Sequence, residues 1–145
     1  MHQQLAEIEE TSLQKVLQFE EQMKLQPQVE LEVKHHFSYG IYARELFIPA
    51  GVILTGKIHK YEQLNILTKG EMLVLIDGRI RRIEAPYTLV APAGTKRVAK
   101  ALKDCIWLTI HGTHEIDLDK IEEKFIAQTE QEYLEFSGQL KLLDN

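Results

Sequence analysis

Short β-type segments fill the middle of this chain, and they constrain its fold more than any other feature. From "YGIYARELFIPAG" to "CIWLTIHGT", runs rich in β-branched and aromatic residues alternate with turn residues. Asp77-Gly78 lies between two alternating runs and predicts a two-residue hairpin turn. "VELEV" predicts a strand with Val29, Leu31 and Val33 on one face. About eight short strands with this spacing favour a closed barrel or a double-sheet jelly roll.

Amphipathic segments lie on both sides of these strands. Before them, apolar residues recur at nearly helical spacing, and Ser12 could cap a helix that ends before Pro27. After them, "EIDLDKIEEKFIAQTEQEYLEF" has the same kind of spacing, with Asp117 or Asp119 near its start. Both segments therefore predict α-helices.

The domain organisation follows from these segments. Residues 1–27 form the first helical segment, residues 28–113 hold the strands, and residues 114–145 form the second helical segment. No linker or low-complexity tract interrupts them, and 145 residues suffice for one domain with a hydrophobic core. We expect residues 1–145 to form a single, mainly β domain with one helix at each end.

The cellular setting is constrained by hydropathy and by the single cysteine. No apolar run approaches the roughly 20 residues that span a bilayer. The beginning, "MHQQLAEIEETSLQ", is polar and acidic, which is not typical of a secretory signal. Cys105 cannot form an internal disulfide, and its apolar neighbours predict a buried, inert thiol. We expect a cytoplasmic protein that does not bind a membrane.

Charge is distributed unevenly along the chain, although its net value is −5. Residues 51–103 carry 10 basic and 4 acidic side chains, whereas both ends are acidic. A basic centre can attract an anionic ligand, but acidic ends that are simply solvated helix faces would explain much of the difference. The acidic total argues against general binding of nucleic acid.

The first of two spaced motifs begins at Gly51. After five intervening residues comes the unit Lys57-Ile58-His59. Gln63 follows after three more residues, and Gly70 after a further six. Lys57 and His59 are two residues apart, so they share one face of a strand. This motif therefore places a cation and an imidazole on one strand face, with an amide four residues further along the chain.

The second motif is the turn Pro92-Ala93-Gly94, followed after two residues by Arg97. Together the two spacings resemble the signature motifs of the cupin superfamily, over about residues 40–112. The resemblance implies a small jelly-roll barrel with the matching side chains converging on its cavity. Cupin metal sites use three histidines and one glutamate, and the matching positions here hold Lys57, His59, Gln63 and Arg97.

These replacements do not favour a metal site. Lys57 and Arg97 are cationic and offer no lone pair, and the Gln63 amide is a weak, neutral ligand. A divalent ion 4 Å from either of these cations would be repelled by ~4 kcal/mol for each of its own charges, at an effective dielectric near 20. The same side chains suit an anion, because lysine is a point charge and arginine a two-pronged donor. The alternative is that Lys57 and Arg97 lie in solvent at the barrel rim.

Further candidates lie on two other strand faces. Asn65 shares a face with Gln63 and could bind a sugar hydroxyl or a base edge. Trp107 and His111 share a face with Thr109; there Trp107 could stack on a ring, and His111 could lie near His59.

A divalent metal would then have His59 and His111 as ligands, completed by water or Glu62. A histidine at a strand end is more often a surface or hydrogen-bonded residue. His35, His36 and His114 are interpreted as loop residues rather than ligands.

A narrower resemblance concerns short cupin-like proteins encoded in tailed-phage genomes. It rests on the run "GKIHK" and on the turn "PAGTKR". It implies a location in the host cell cytoplasm, and the group has no agreed activity.

Three functions are therefore open. The leading hypothesis is metal-independent binding of a small anion, such as a nucleotide, a sugar phosphate or a carboxylate. In a phage setting it could sequester a host signalling nucleotide. The site residues would be Lys57, His59, Gln63, Asn65, Arg97, Trp107 and His111, with the two cations holding the charge and His59 bonding or titrating.

The second hypothesis is a cupin enzyme that oxidises or isomerises a small carbonyl or sugar compound. With a metal, His59 and His111 would be its ligands; without one, His59 would be a general base near neutral pH. The third is a structural protein whose end helices bind a partner. Strand edges and amphipathic helices need cover, so we expect a homo-oligomer, a dimer or higher.

Overall fold

The computed structural model describes residues 30–76 and 79–144. Those residues form eleven strands and two helices. The strands are β1 Val33–Ser38, β2 Ile41–Ile48, β3 Ile53–Thr55, β4 Ile58–His59, β5 Gln63–Lys69, β6 Glu71–Ile76, β7 Arg79–Glu84, β8 Tyr87–Ala91, β9 Val98–Ala101, β10 Cys105–Gly112 and β11 Ile126–Ala127. The helices are α1 Leu118–Phe125 and α2 Glu130–Asp144. The predicted N-terminal helix lies outside the described residues.

The strands form two larger antiparallel sheets and one small one. The first sheet has the order β1-β2-β10-β5-β8, and the second has the order β3-β9-β6-β7. A third, two-stranded sheet joins β11 to β4. The structure has more strands than the eight expected, because β3, β4 and β11 are too short to show as alternating patterns.

The hydrophobic core lies between the two larger sheets. Leu46, Leu67 and Cys105 from the first sheet pack with Met72 and Val74 from the second. Alternate residues of a strand face opposite sides, so each sheet contributes every second side chain to this core. Cys105 is fully buried, as its apolar neighbours predicted. The mainly β, jelly-roll class is therefore confirmed, whereas the extent of the single domain over 1–145 stays a prediction.

The first strand differs from the prediction in two ways. It begins at Val33, whereas the strand predicted from alternation included Leu31; Val29 lies outside the described residues. Leu31 still packs against the core without joining a strand. His35 and His36 were wrongly assigned to a loop: they lie in β1, where His35 pairs with Arg44. Pairing with β2 across the turn explains this, because Gly40 has the left-handed φ of 72° that the turn requires. His114 does lie in a loop, between β10 and α1.

The predicted C-terminal helix is divided into α1 and α2 by β11. Asp117 caps α1, and its side chain accepts hydrogen bonds from the backbone N–H groups of Asp119 and Lys120. The helix stops because Ile126 takes an extended conformation and pairs with His59 of β4. The prediction of a single long C-terminal helix was therefore wrong, because strand pairing between β11 and β4 overrides the local helical spacing.

Candidate ligand-binding cavity

A cavity of about 510 Å³ lies between the inner faces of the two sheets. Helix α1 closes one end with Ile121, Glu122 and Phe125. Strand pairing between β11 and β4 and a hydrogen bond from the Lys60 N–H to the Phe125 carbonyl (2.7 Å) hold this helix in place. The volume falls within the range of roughly 300–1,000 Å³ typical of small-molecule sites.

The first sheet presents three layers of side chains to this cavity, set by strand register. The layer nearest α1, the ring layer, contains Tyr42 of β2 paired with His111 of β10. Tyr42 packs in one cluster with Ile121 and Phe125. The His111 ring stacks on the Phe125 ring, with the centroids 4.3 Å apart.

The second layer, the polar layer, crosses the sheet from strand to strand. Arg44 pairs with Thr109, and Thr109 pairs with Asn65 of β5. The Asn65 Nδ2 atom donates to Thr109 Oγ1 at 3.1 Å. His35 continues this layer at the exposed edge, and its Nδ1 lies 2.7 Å from the Tyr42 hydroxyl.

The third layer, the apolar layer, lies two residues further from α1 along each strand. Leu46 pairs with Trp107, and Trp107 pairs with Leu67. The second sheet faces these layers with Leu54, Met72, Val74 and Ala99. The cavity is therefore polar towards α1 and apolar at its far end.

The structure places every predicted site residue along this one cavity. They are Lys57, His59, Gln63, Asn65, Arg97, Trp107 and His111. The sequence left open which face of β10 lines the cavity; the structure turns the face that carries Trp107, Thr109 and His111 inward.

The two predicted cations occupy different environments. Lys57 lies beside α1 at the solvent-exposed edge of the cavity, here called the mouth. Its ammonium forms an ion pair with Glu122 of α1 while 56% of its side chain stays exposed. Arg97 is partly buried, and its Nη1 donates to the Leu75 carbonyl at 3.0 Å. Only Lys57 therefore matches the rim position considered as the alternative.

His59 and His111 form a stacked pair with centroids 5.4 Å apart. Burial lowers the pKa of His59 to about 3, helped by the nearby His111, Arg44 and Lys57. Burial also lowers the pKa of His111 to about 4. Both imidazoles are therefore neutral at pH 7, and the expectation that His59 titrates near neutral pH was wrong, because the cavity disfavours its charged form.

Arg44 was not predicted from the sequence, and it adds a third cation to the cavity. Its guanidinium has no hydrogen bond or ion pair with any side chain in residues 30–76 and 79–144. It acts on the pKa values of Tyr42, His59 and Glu122 through its charge. The signal was a single arginine alternating with apolar residues in "YARELFI". His35 was missed because its strand was not predicted.

Within the described part of the chain, Oε1 of Gln63 and Nδ1 of His59 are buried polar atoms of the cavity without a hydrogen-bond partner. Gln63 is only 7% exposed, so its carbonyl oxygen is desolvated without compensation. Such atoms usually mark a place where a ligand or a water supplies the missing bond.

The residues present do not fit a metal centre of the cupin type. Among residues 30–76 and 79–144, no three His, Cys, Asp or Glu side chains group closely enough to hold a metal ion. Glu62, considered as a third ligand, is exposed and does not line the cavity. The remaining matched positions hold two cations and an amide, which are poor metal ligands.

Comparison with known proteins supports the fold. No protein-family model and no curated protein matches this chain. Among solved structures, the chain is similar to KdgF from Halomonas sp., with a TM-score of 0.52 and 20% identity over 66% of this chain and 90% of that one. It is also similar to an uncharacterized conserved protein with a double-stranded β-helix domain from Klebsiella pneumoniae subsp. pneumoniae. That TM-score is 0.51, with 13% identity over 63% of this chain and 80% of the other.

These likenesses define the class of fold. The chain has the double-stranded β-helix, which is the jelly-roll architecture of cupins, and this part of the prediction is confirmed. Neither α1 nor α2 combines the length and apolar character needed to cross a bilayer.

Proposed function

We propose that this cupin-fold protein binds a small anionic ligand in the cavity without a metal ion. The observation that carries this proposal is the charge of the lining. Arg44, Lys57 and Arg97 face one carboxylate, that of Glu122, in a chain whose net charge is −5. A cluster of cations in a partly enclosed site attracts anions more strongly than the same charges in open solvent.

Each cation has a distinct part in this proposal. Arg44 lies in the middle of the polar layer and can hold a carboxylate or phosphate with two hydrogen bonds. Arg97 approaches from the second sheet. Lys57 stands at the mouth, where its charge draws the ligand inward and its ion pair with Glu122 can be exchanged for one with the ligand.

The neutral side chains would select the shape of the ligand. Oε1 of Gln63 and Nδ1 of His59 need partners, and Asn65 is 98% buried beside Thr109. A pKa of about 3 makes His59 a weak base at neutral pH, so a bonding role suits it better than general-base catalysis.

A ligand titration tests this proposal, and Trp107 supplies the signal. It is the chain's single tryptophan, and it lines the cavity, so its fluorescence reports on an occupant directly. Inorganic phosphate, glycerol phosphate, phenylacetate and adenosine monophosphate are each titrated with and without a chelator. We expect at least one to bind, and a chelator not to weaken it.

Variants then locate the binding. The double variant Lys57→Ala with Arg97→Ala should reduce affinity by at least roughly a hundredfold, since charge-assisted hydrogen bonds contribute about 1.5–3 kcal/mol each. The double variant Arg79→Ala with Arg81→Ala is the matched control, because it removes two exposed arginines of β7 that do not line the cavity. If both double variants melt at the same temperature as the parent and lose the same affinity, the ligand does not bind in this cavity. The homo-oligomer, the cytoplasmic location and the sequestering of a host nucleotide stay predictions.

A further inference from the structure

The layered cavity points to the chemical class of the ligand: an organic acid whose carboxylate lies at Arg44 and whose apolar body lies against Trp107. This inference rests on the proposed function and narrows it. A nucleotide, a sugar phosphate and a carboxylate all carry a negative charge, but they differ in what lies beyond that charge.

Within residues 30–76 and 79–144, the end of the cavity away from α1 is lined mainly by apolar side chains. On the first sheet it is lined by Leu46, Ile48 and Trp107, and on the second by Leu54, Met72 and Val74. A polyol placed there would lose its hydrogen bonds to water without replacement, at a cost of roughly 1–3 kcal/mol for each group. An aromatic or aliphatic body would instead gain from the removal of its surface from water.

The polar layer fixes where the charged group lies. Arg44 lies one layer from Leu46 on β2, and Thr109 lies one layer from Trp107 on β10. Alternate residues along a strand are separated by roughly 6.6–6.8 Å. A carboxylate on Arg44 therefore places a body one ring in length beside the Trp107 side chain, where ring stacking is favourable.

Gln63 supplies the remaining polar contact for such a ligand. Oε1 of Gln63 lies on the α1 side of the polar layer and needs a donor. A hydroxyl or amino group next to the carboxylate would reach that side, while the apolar body points the other way. The class is thus a small acid that is polar at one end only.

Two comparisons between ligands test the inference, with binding to the whole chain measured by Trp107 fluorescence and by calorimetry. Phenylacetate is compared with acetate, which lacks the apolar body, and with phenylethanol, which lacks the charge. We expect phenylacetate to bind roughly tenfold to a hundredfold more tightly than either.

The variant Arg44→Gln tests the place of the carboxylate. It should remove the preference for phenylacetate over phenylethanol while leaving phenylethanol affinity within about twofold. Arg81→Gln is the matched control on the exposed strand β7. If Arg44→Gln does not fold, Arg44→Lys keeps the charge, and it should retain a weakened preference because lysine lacks the two-pronged donor.

The outcomes separate this inference from the proposed function. In one outcome, glycerol phosphate binds more tightly than phenylacetate and loses that affinity in Arg44→Gln. This result would support the anion site at Arg44 and would contradict the inference that the ligand has an apolar body. A preference for phenylacetate that Arg44→Gln leaves intact would overturn the position of the carboxylate. Binding of none of these anions would overturn both.

Discussion

The rings of His59 and His111 lie stacked, with centroids 5.4 Å apart and planes inclined by 25°, across the end of the barrel that α1 closes. The His111 ring also stacks on the Phe125 ring, with the centroids 4.3 Å apart. In a cupin metal centre, imidazoles point their nitrogens at a common ion. Here the two rings face each other, which suits packing and hydrogen bonding to a ligand better than shared coordination.

Stability should depend on pH through this pair. The pKa values of about 3 and about 4 lie below the ordinary 6.5, so the unfolded chain binds protons that the folded chain does not. Stability is therefore unaffected by this pair above about pH 7 and falls as the pH drops below 6.5. Each histidine contributes a slope approaching ~1.4 kcal/mol per pH unit.

Urea unfolding between about pH 7 and about pH 5 measures this slope before most carboxylates titrate. His111→Asn should make the dependence shallower. A stability that is flat across this window would show that the two imidazoles are not desolvated as described.

The ion pair between Lys57 and Glu122 should affect binding more than stability. Both side chains are substantially exposed, so Glu122→Gln should lower the free energy of unfolding by less than about 1 kcal/mol. Removing this carboxylate also frees Lys57 and makes the cavity more positive. We expect phenylacetate affinity to rise roughly fivefold.

Glu123→Gln is the matched control for that change. Glu123 is the neighbouring exposed residue of α1 and does not line the cavity. Calorimetric titration of both variants checks the difference. A loss of affinity in Glu122→Gln would mean that the pair orders the mouth rather than competing with the ligand.

Gly70 should tolerate a side chain less well than Gly51, although both occur with positive φ. At Gly70 (φ 95°) a Cβ atom would lie 2.3 Å from the Asp104 carbonyl oxygen, whereas at Gly51 (φ 89°) it would meet nothing within 4 Å. Gly51→Ala should cost about 1–2 kcal/mol from backbone strain alone. Gly70→Ala should cost at least about 3 kcal/mol, since backbone must also move. Equal losses in thermal unfolding would contradict this account.

Gln63 should stabilise the bound ligand rather than the folded protein. Its Oε1 is buried without a partner, so Gln63→Leu should leave stability unchanged or raise it by about 1 kcal/mol. Mandelate adds one hydroxyl to phenylacetate and should bind the parent roughly threefold to tenfold more tightly. In Gln63→Leu this advantage should disappear; if it persists, the hydroxyl is bound elsewhere.

Much of the cavity was predictable from motif spacing combined with the resemblance to cupins. The spacing from Gly51 to Gly70 matched positions of the cupin motif, and the resemblance implied that Lys57, His59 and Gln63 line one cavity. Strand alternation placed Trp107 and His111 on one face but left open whether that face is the inner one. Such patterns are local, and local periodicity is what a single sequence displays best.

The remainder depends on contacts between distant segments. The Lys57–Glu122 pair joins residues 65 positions apart, and β11 ends α1 by pairing with β4. The pKa values of His59 and His111 arise from burial, which only the packed barrel creates. The sequence shows Arg44 as a lone cation among apolar residues of one strand. Only the pairing of that strand with its neighbours places Arg44 in the cavity.

Elemental analysis of untagged protein purified without chelator, combined with mass spectrometry of small molecules released on denaturation, decides between an anion site and a metal centre. We expect no transition metal near one ion per chain, and any released compound should be an acid. Near-stoichiometric iron, manganese, nickel or zinc, lost on replacing His59 and His111, would contradict this expectation. The stacked imidazoles would then be metal ligands, and the cavity would be a metal centre rather than an anion site.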